Sequence, residues 1–161
     1  MALFIPGMHC RLCGEAIESG EDAKLFPLFT GNEADPLFIF SDAVTHKTCF
    51  ERDPRHDFAS LRLADFSASQ KKRPRICLVC GLQIASPDDF FGMGHLTDVR
   101  ESALYKWNYA QFHRSCLPRW AELPRFIELG VCELKAGRWR GKAMEQLIDE
   151  MRLSMPDKVK A

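Results

Sequence analysis

Cys10-Arg11-Leu12-Cys13-Gly14 and Cys77-Leu78-Val79-Cys80-Gly81 are one pattern met twice, 67 residues apart. Each is answered downstream by a His-x-x-Cys: His46 with Cys49, and His113 with Cys116. Cys13 precedes His46 by 33 residues, and Cys80 precedes His113 by the same 33. Independent coincidences would not agree to the residue, so the chain holds an internal duplication. What the duplication keeps in register is a set of metal-ligating side chains.

The donor types decide the metal. Two short-spaced pairs per repeat, three thiolates and one imidazole, suit the tetrahedral shell of zinc better than iron. Disulfides would require an oxidising compartment, and the amino terminus lacks the basic segment and apolar core of a secretory signal. Thioredoxin-like redox chemistry needs one reactive Cys-x-x-Cys and gives no reason for a matched His-x-x-Cys. The expectation is therefore two zinc ions, held by Cys10, Cys13, His46 and Cys49 and by Cys77, Cys80, His113 and Cys116. Both shells are filled by protein, which points to folding rather than catalysis. Gly14 and Gly81 close each knuckle where positive φ is often needed. Lys47 and Arg114 follow the histidines and are positioned in sequence to offset thiolate charge. His9 is a bystander to the first site.

At 161 residues, 46% hydrophobic and 27% charged, the composition is that of a globular protein. No apolar run is long enough to span a membrane, and an intracellular, cytoplasmic location is the default. The formal charge is zero but unevenly placed: residues 1–70 carry 6 basic and 11 acidic side chains, residues 71–161 carry 16 and 11. Only the second half could attract a polyanion.

The division expected is a first zinc-binding repeat over 1–70, a basic linker over 71–76, and a second repeat with a hairpin and helix over 77–161. In the first repeat, Ala23–Phe29 and Pro36–Phe40 read as two strands around the loop 30–35. A helix starts at His46 and ends near Pro54, and another begins at Asp57 with Phe58, Leu61 and Phe66 facing inward. The second repeat aligns without gaps between its ligands: Ile84 with Ile17, Asp89 with Asp22, Trp107 with Phe40, Ala110 with Ala43. After Cys116 a short helix runs to Pro124 and Gly130 ends the segment. Val131–Leu134 and Arg138–Arg140 then form a hairpin, with Cys132 buried. A last helix covers about 142–153, its stripe of Ala143, Met144, Leu147, Ile148 and Met151 packing on its own domain.

The knuckle followed by a helix-start His-x-x-Cys resembles the treble-clef group of zinc fingers, over residues 8–54 and 75–122. It is also similar to the first metal site of a LIM domain, but no Cys-x-x-Cys follows Cys49 or Cys116 to make a second. The resemblance implies an α+β fold: two tandem treble-clef-like units of knuckle, β-hairpin and helix, with an extra C-terminal helix. Treble clefs serve as protein-interaction modules, nucleic-acid binders and nuclease scaffolds. A nuclease would need a further His/Asn set, and His95 with Asn108 is the nearest approach. The expected function is a non-enzymatic protein-interaction module acting as adaptor, inhibitor or immunity-type partner. The alternative is nucleic-acid binding through Lys71, Lys72, Arg73 and Arg75 in the linker and Arg138, Arg140 and Lys142 around Trp139. Balanced charge weighs against it, because phosphate neutralisation normally calls for a net basic domain.

Overall fold

A computed structural model describes residues 4–70 and 74–154. Helices are mixed with small two-stranded antiparallel sheets. The described residues divide into two compact units, 4–30 with 35–70, and 74–154 with 31–34. The basic residues Lys71, Lys72 and Arg73 lie outside the described residues.

In the first unit, β1 (Met8–His9) and β2 (Ala16–Ile17) pair across the first Cys-x-x-Cys knuckle. Then β3 (Ala23–Leu25) pairs with β4 (Val44–His46), Ala23 opposite His46. The second strand of this hairpin is therefore β4, and the expected strand over 36–40 is absent. Local chemistry explains the difference. Pro36 offers no N–H, Asp35 Oδ1 accepts the Leu37 amide at 2.8 Å, and a 3₁₀ turn follows over Phe38–Phe40. Asp42, at φ 49°, then turns the chain into β4. The phenylalanines in this stretch are core residues: Phe26 packs on Phe29, Phe40 and Phe50 at ring distances of 5.8, 5.1 and 4.9 Å.

Helix α1 (Lys47–Glu51) follows β4 directly, and α2 (His56–Gln70) follows the Asp53–Arg55 turn. The inward face of α2 is not the one the apolar pattern suggests. Ala59 and Arg62 are buried and Phe66 meets Phe29, whereas Phe58 and Leu61 are 42% and 67% exposed. A charge sets the face: the Arg62 guanidinium reaches Asp35 at 2.7 Å with both side chains almost fully covered. The helix continues to Gln70, up to the start of the expected linker.

The second unit repeats the plan. β5 (Phe90–Gly92) pairs with β6 (Gln111–His113), and a 3₁₀ turn over Tyr105–Trp107 replaces a strand as before, with Tyr109 at φ 60° where Asp42 stood. The residues carrying Cys116 form a 3₁₀ helix, Arg114–Arg119, rather than an α-helix. From there the sequence reading fails. Residues 131–134 are helical, within α3 (Leu123–Lys135), so the expected hairpin over 131–140 does not form. Pro124 sits in the first turn of α3, where its missing N–H costs nothing. Gly130 is not a stop but a contact: a Cβ there would lie 2.9 Å from Ile148 Cδ1 and 3.0 Å from Met144 Sδ. It lets α3 approach α4 (Ala143–Ser154), whose Met144, Ile148 and Met151 are buried at helical spacing. Cys132 is exposed. Among the described residues no helix is long and apolar enough to cross a membrane.

Candidate metal centres

Each knuckle is a short hairpin that brings its two cysteines together, the first buried and the second exposed. The Cys10 amide bonds Glu15 O at 2.8 Å and Gly14 N–H returns to Cys10 O at 2.8 Å; Cys77 to Leu82 O and Gly81 to Cys77 O, both 2.9 Å, repeat this. Gly14 at φ 80° and Gly81 at φ 71° occupy the left-handed region the turn requires. Arg11 N–H to Val44 O and Leu78 N–H to Gln111 O, at 2.9 and 2.8 Å, fix each knuckle to the strand that ends in its histidine. The helix or 3₁₀ turn that follows brings in the last cysteine one turn later.

The four donor atoms of each set, three Sγ and one histidine nitrogen, lie within 4.8 Å of one another. His46 Nδ1 is 3.5 Å from Cys13 Sγ and 3.8 Å from Cys49 Sγ. His113 Nδ1 is 3.4 Å from Cys80 Sγ and 3.9 Å from Cys116 Sγ. A tetrahedron with metal–ligand arms of about 2.0–2.3 Å has edges of roughly 3.5–3.8 Å. The spacings match those edges, so both sets are compatible with a metal ion, and the three-sulfur donor set favours zinc. All eight sequence-assigned ligands are brought together four by four.

The surroundings prepare the thiols unequally. Burial pushes the Cys10 thiol up, but the amides of Cys13, His46 and Leu12 together outweigh it and bring it down to about 6. Cys77 behaves alike: burial opposes, the amides of His113, Cys80 and Val79 prevail, and it falls to about 6. Burial, then the Cys13 and Cys10 sulfurs, raise Cys49 to about 11. Cys116 is raised by burial and by Cys80, with Arg119 acting against them. At pH 7 the metal-free Cys10 is thus mostly thiolate and Cys49 a thiol. Binding must expel the Cys49 proton, so affinity of the first site is expected to rise with pH between 7 and 9. The slope is at least about tenfold per unit for this one proton. Zinc titrations in buffers of different ionisation enthalpy read the proton count directly; a pH-independent affinity would contradict it.

Charge compensation comes from a residue the sequence reading missed. Arg114 turns away to Glu150 at 2.6 Å, and Arg119 Nη2 instead donates to Cys116 Sγ at 3.1 Å. The signal was present as an arginine three places after each final cysteine, Arg52 and Arg119. Asp89, at the Asp22 position, accepts the Ser115 N–H at 3.0 Å and its hydroxyl at 3.1 Å. That amide, above all, holds the Asp89 carboxyl below its ordinary range.

The other candidates fall elsewhere. Asn108 Oδ1 accepts the Leu96 and Thr97 amides at 2.6 and 3.1 Å while its Nδ2 donates to Thr97 O at 2.7 Å. Ser41, its counterpart, bonds Thr30 N and O at 3.1 and 2.7 Å. Asn108 is thereby occupied as a loop strut. Arg75 lies over the Phe90 ring at 4.3 Å, and Arg138 is paired doubly with Glu133 at 2.8 and 2.9 Å. Trp139 is buried, which removes its face from stacking on a base. Arg140 and Lys142 are exposed; the Arg140 amide bonds Asn32 Oδ1 at 3.0 Å. No protein-family model, curated protein or solved structure matches this chain.

Proposed function

We propose that the chain is a tandem pair of treble-clef zinc units serving as a protein-interaction module, an adaptor, inhibitor or immunity-type partner in which two zinc ions hold the fold. The observation that carries this reading is the pair of closed donor tetrads: four protein donors at tetrahedral spacing leave no ligand position for a substrate. The order of knuckle, hairpin and ligand-bearing turn supports the treble-clef assignment in both units. A reducing compartment, the cytoplasm, keeps the six ligand thiols available.

The surface of the second knuckle supports a protein partner. Ile76, Leu78 and Leu82 are 44%, 52% and 66% exposed, where the first knuckle has His9, Arg11 and Glu15. Duplicated scaffolds with different knuckle surfaces suit one zinc unit that is chiefly structural and one that also docks. The spent charge of Arg138 and the buried Trp139 weigh for protein over nucleic acid.

Native mass spectrometry with metal quantitation tests both parts. Two zinc ions per chain are expected, with a co-purifying protein that is lost from Leu78→Asp/Leu82→Asp while both metals stay. Fewer than two metals overturns the structural part. A co-purifying nucleic acid released steeply by salt overturns the choice of partner.

A further inference from the structure

The duplication provides an internal control, because the ligands and the knuckle hydrogen bonds are shared while the ligand-bearing turns and their surroundings differ. At the second centre, Arg119 donates to Cys116 Sγ, Cys116 is buried, and the ligand-bearing turn is pinned by Asp89 to Ser115 and by Glu150 to Arg114. At the first, Cys49 is only half-buried. Arg52 and Thr48, in the places of Arg119 and Ser115, make no such bonds among the described residues.

Helix type accounts for the difference at the arginine. In a 3₁₀ helix residues i and i+3 eclipse one another, and the 3₁₀ span Arg114–Arg119 stacks Arg119 over Cys116. The first repeat uses an α-helix, Lys47–Glu51, where i+3 is rotated off the line of Cys49, and Arg52 is already its C-cap. Three thiolates around a divalent ion leave one negative charge. A guanidinium on a sulfur draws that charge down and makes the thiolate a poorer nucleophile.

Resting on the zinc reading above, we propose that the centre of Cys10, Cys13, His46 and Cys49 is a hydroperoxide-reactive modification site, oxidised ahead of its twin. Cys13 is the exposed donor of the first centre as Cys80 is of the second, so the centres differ at the sulfur that must answer it: Cys49 is half-buried, whereas Cys116 is buried and held by Arg119. The Cys13 sulfur attacks a peroxide oxygen: an S–O bond forms, the O–O bond breaks, and the departing oxide takes a proton from water. Sulfur is oxidised by two electrons and the hydroperoxide is reduced to water or alcohol. The Cys49 thiolate then displaces hydroxide from the Cys13 sulfenic acid, which leaves as water once protonated, and a Cys13–Cys49 disulfide forms. Cys10 is buried and accepts the His46 amide at 3.3 Å, which keeps it out of the exchange. Two of the four donors that would hold the ion are thereby consumed, which would release it as the divalent cation.

The test uses the full zinc-loaded chain and hydrogen peroxide, with zinc release followed by a metallochromic indicator and thiols mapped by peptide mass spectrometry. Two phases are expected, about tenfold apart, the fast one accompanied by the Cys13–Cys49 disulfide. Arg119→Gln, checked by native mass spectrometry to bind two zinc ions, should bring the slow phase close to the fast one. Arg125→Gln, on an exposed pair with Glu128, should change nothing. A chain without two zinc ions overturns the zinc reading and the inference with it. Two ions lost in one phase, the second centre reacting first, or no effect of Arg119→Gln overturns the inference alone.

Discussion

Cys10→Ser is expected to lower the metal content from two ions to one and to unfold the first unit, residues 4–30 with 35–70, while the second keeps its metal. The first unit has little else to hold it. Its sheets are two-stranded, with strands of two or three residues, and such hairpins are marginal in water. Its buried apolar residues fall into two separate clusters, one of Cys10, Ile17 and Val44 and one centred on the phenylalanines. A domain of this size rarely gathers more than about 3–5 kcal/mol from its core alone. A structural zinc site contributes about 10–16 kcal/mol of apparent binding energy. The metal term exceeds the core term, so losing it decides the outcome.

Cys10 is the ligand to change because it serves both terms. It is 2% exposed, it packs with Ile17 and Val44, and its sulfur receives the His46 amide. The three tryptophans, Trp107, Trp120 and Trp139, all belong to the second unit, so the two responses separate optically. Far-UV circular dichroism should lose the α2 contribution and amides of α2 should exchange freely, with tryptophan emission unchanged. A serine variant that retains two metals, or retains α2 protection with one, would show that the phenylalanine cluster suffices by itself.

The two Cys3His clusters were legible because coordination chemistry fixes residue type and spacing, and duplication wrote that spacing twice. The knuckle, its glycine and the ligand-bearing turn were legible for the same reason. What failed was whatever depended on tertiary partners. The apolar side chains of Phe58 and Leu61 pointed to the wrong face of α2, because the buried Arg62–Asp35 pair, not hydrophobicity, orients the helix. Pro36–Phe40 looked like a strand because phenylalanine is common in strands, yet Asp35 and Pro36 set a turn first. Gly130 looked like a helix end until α4 supplied the neighbour that needs a missing Cβ. Arg119 required knowing that its turn is 3₁₀, a distinction of hydrogen bonding that residue types do not announce.

Trp107→Ala is expected to destabilise the second unit by about 3–5 kcal/mol while leaving the metal content at two. Trp107 is 2% exposed at the centre of an aromatic cluster, 5.5 Å from Trp120 edge to face and 5.3 Å from Phe126. Its indole N–H donates to Glu122 Oε2 at 2.9 Å, and Lys106, bonded to the other Glu122 oxygen at 2.7 Å, covers the ring. None of these atoms belongs to a ligand, so packing and metal can be separated in one variant. Against a typical domain stability of about 5–15 kcal/mol, the loss should strongly shift the urea midpoint of the emission from the remaining Trp120 and Trp139. The first repeat suggests the control, since Phe40 occupies the equivalent place. Trp107→Phe keeps most of the ring contact and loses the indole bond, whose net value is about 1.5–3 kcal/mol with a charged acceptor. If burial of the ring dominates, the phenylalanine variant keeps most of the stability that the alanine variant loses. If the two variants lose equally, the Glu122 bond rather than the aromatic cluster is what the second unit draws from this residue.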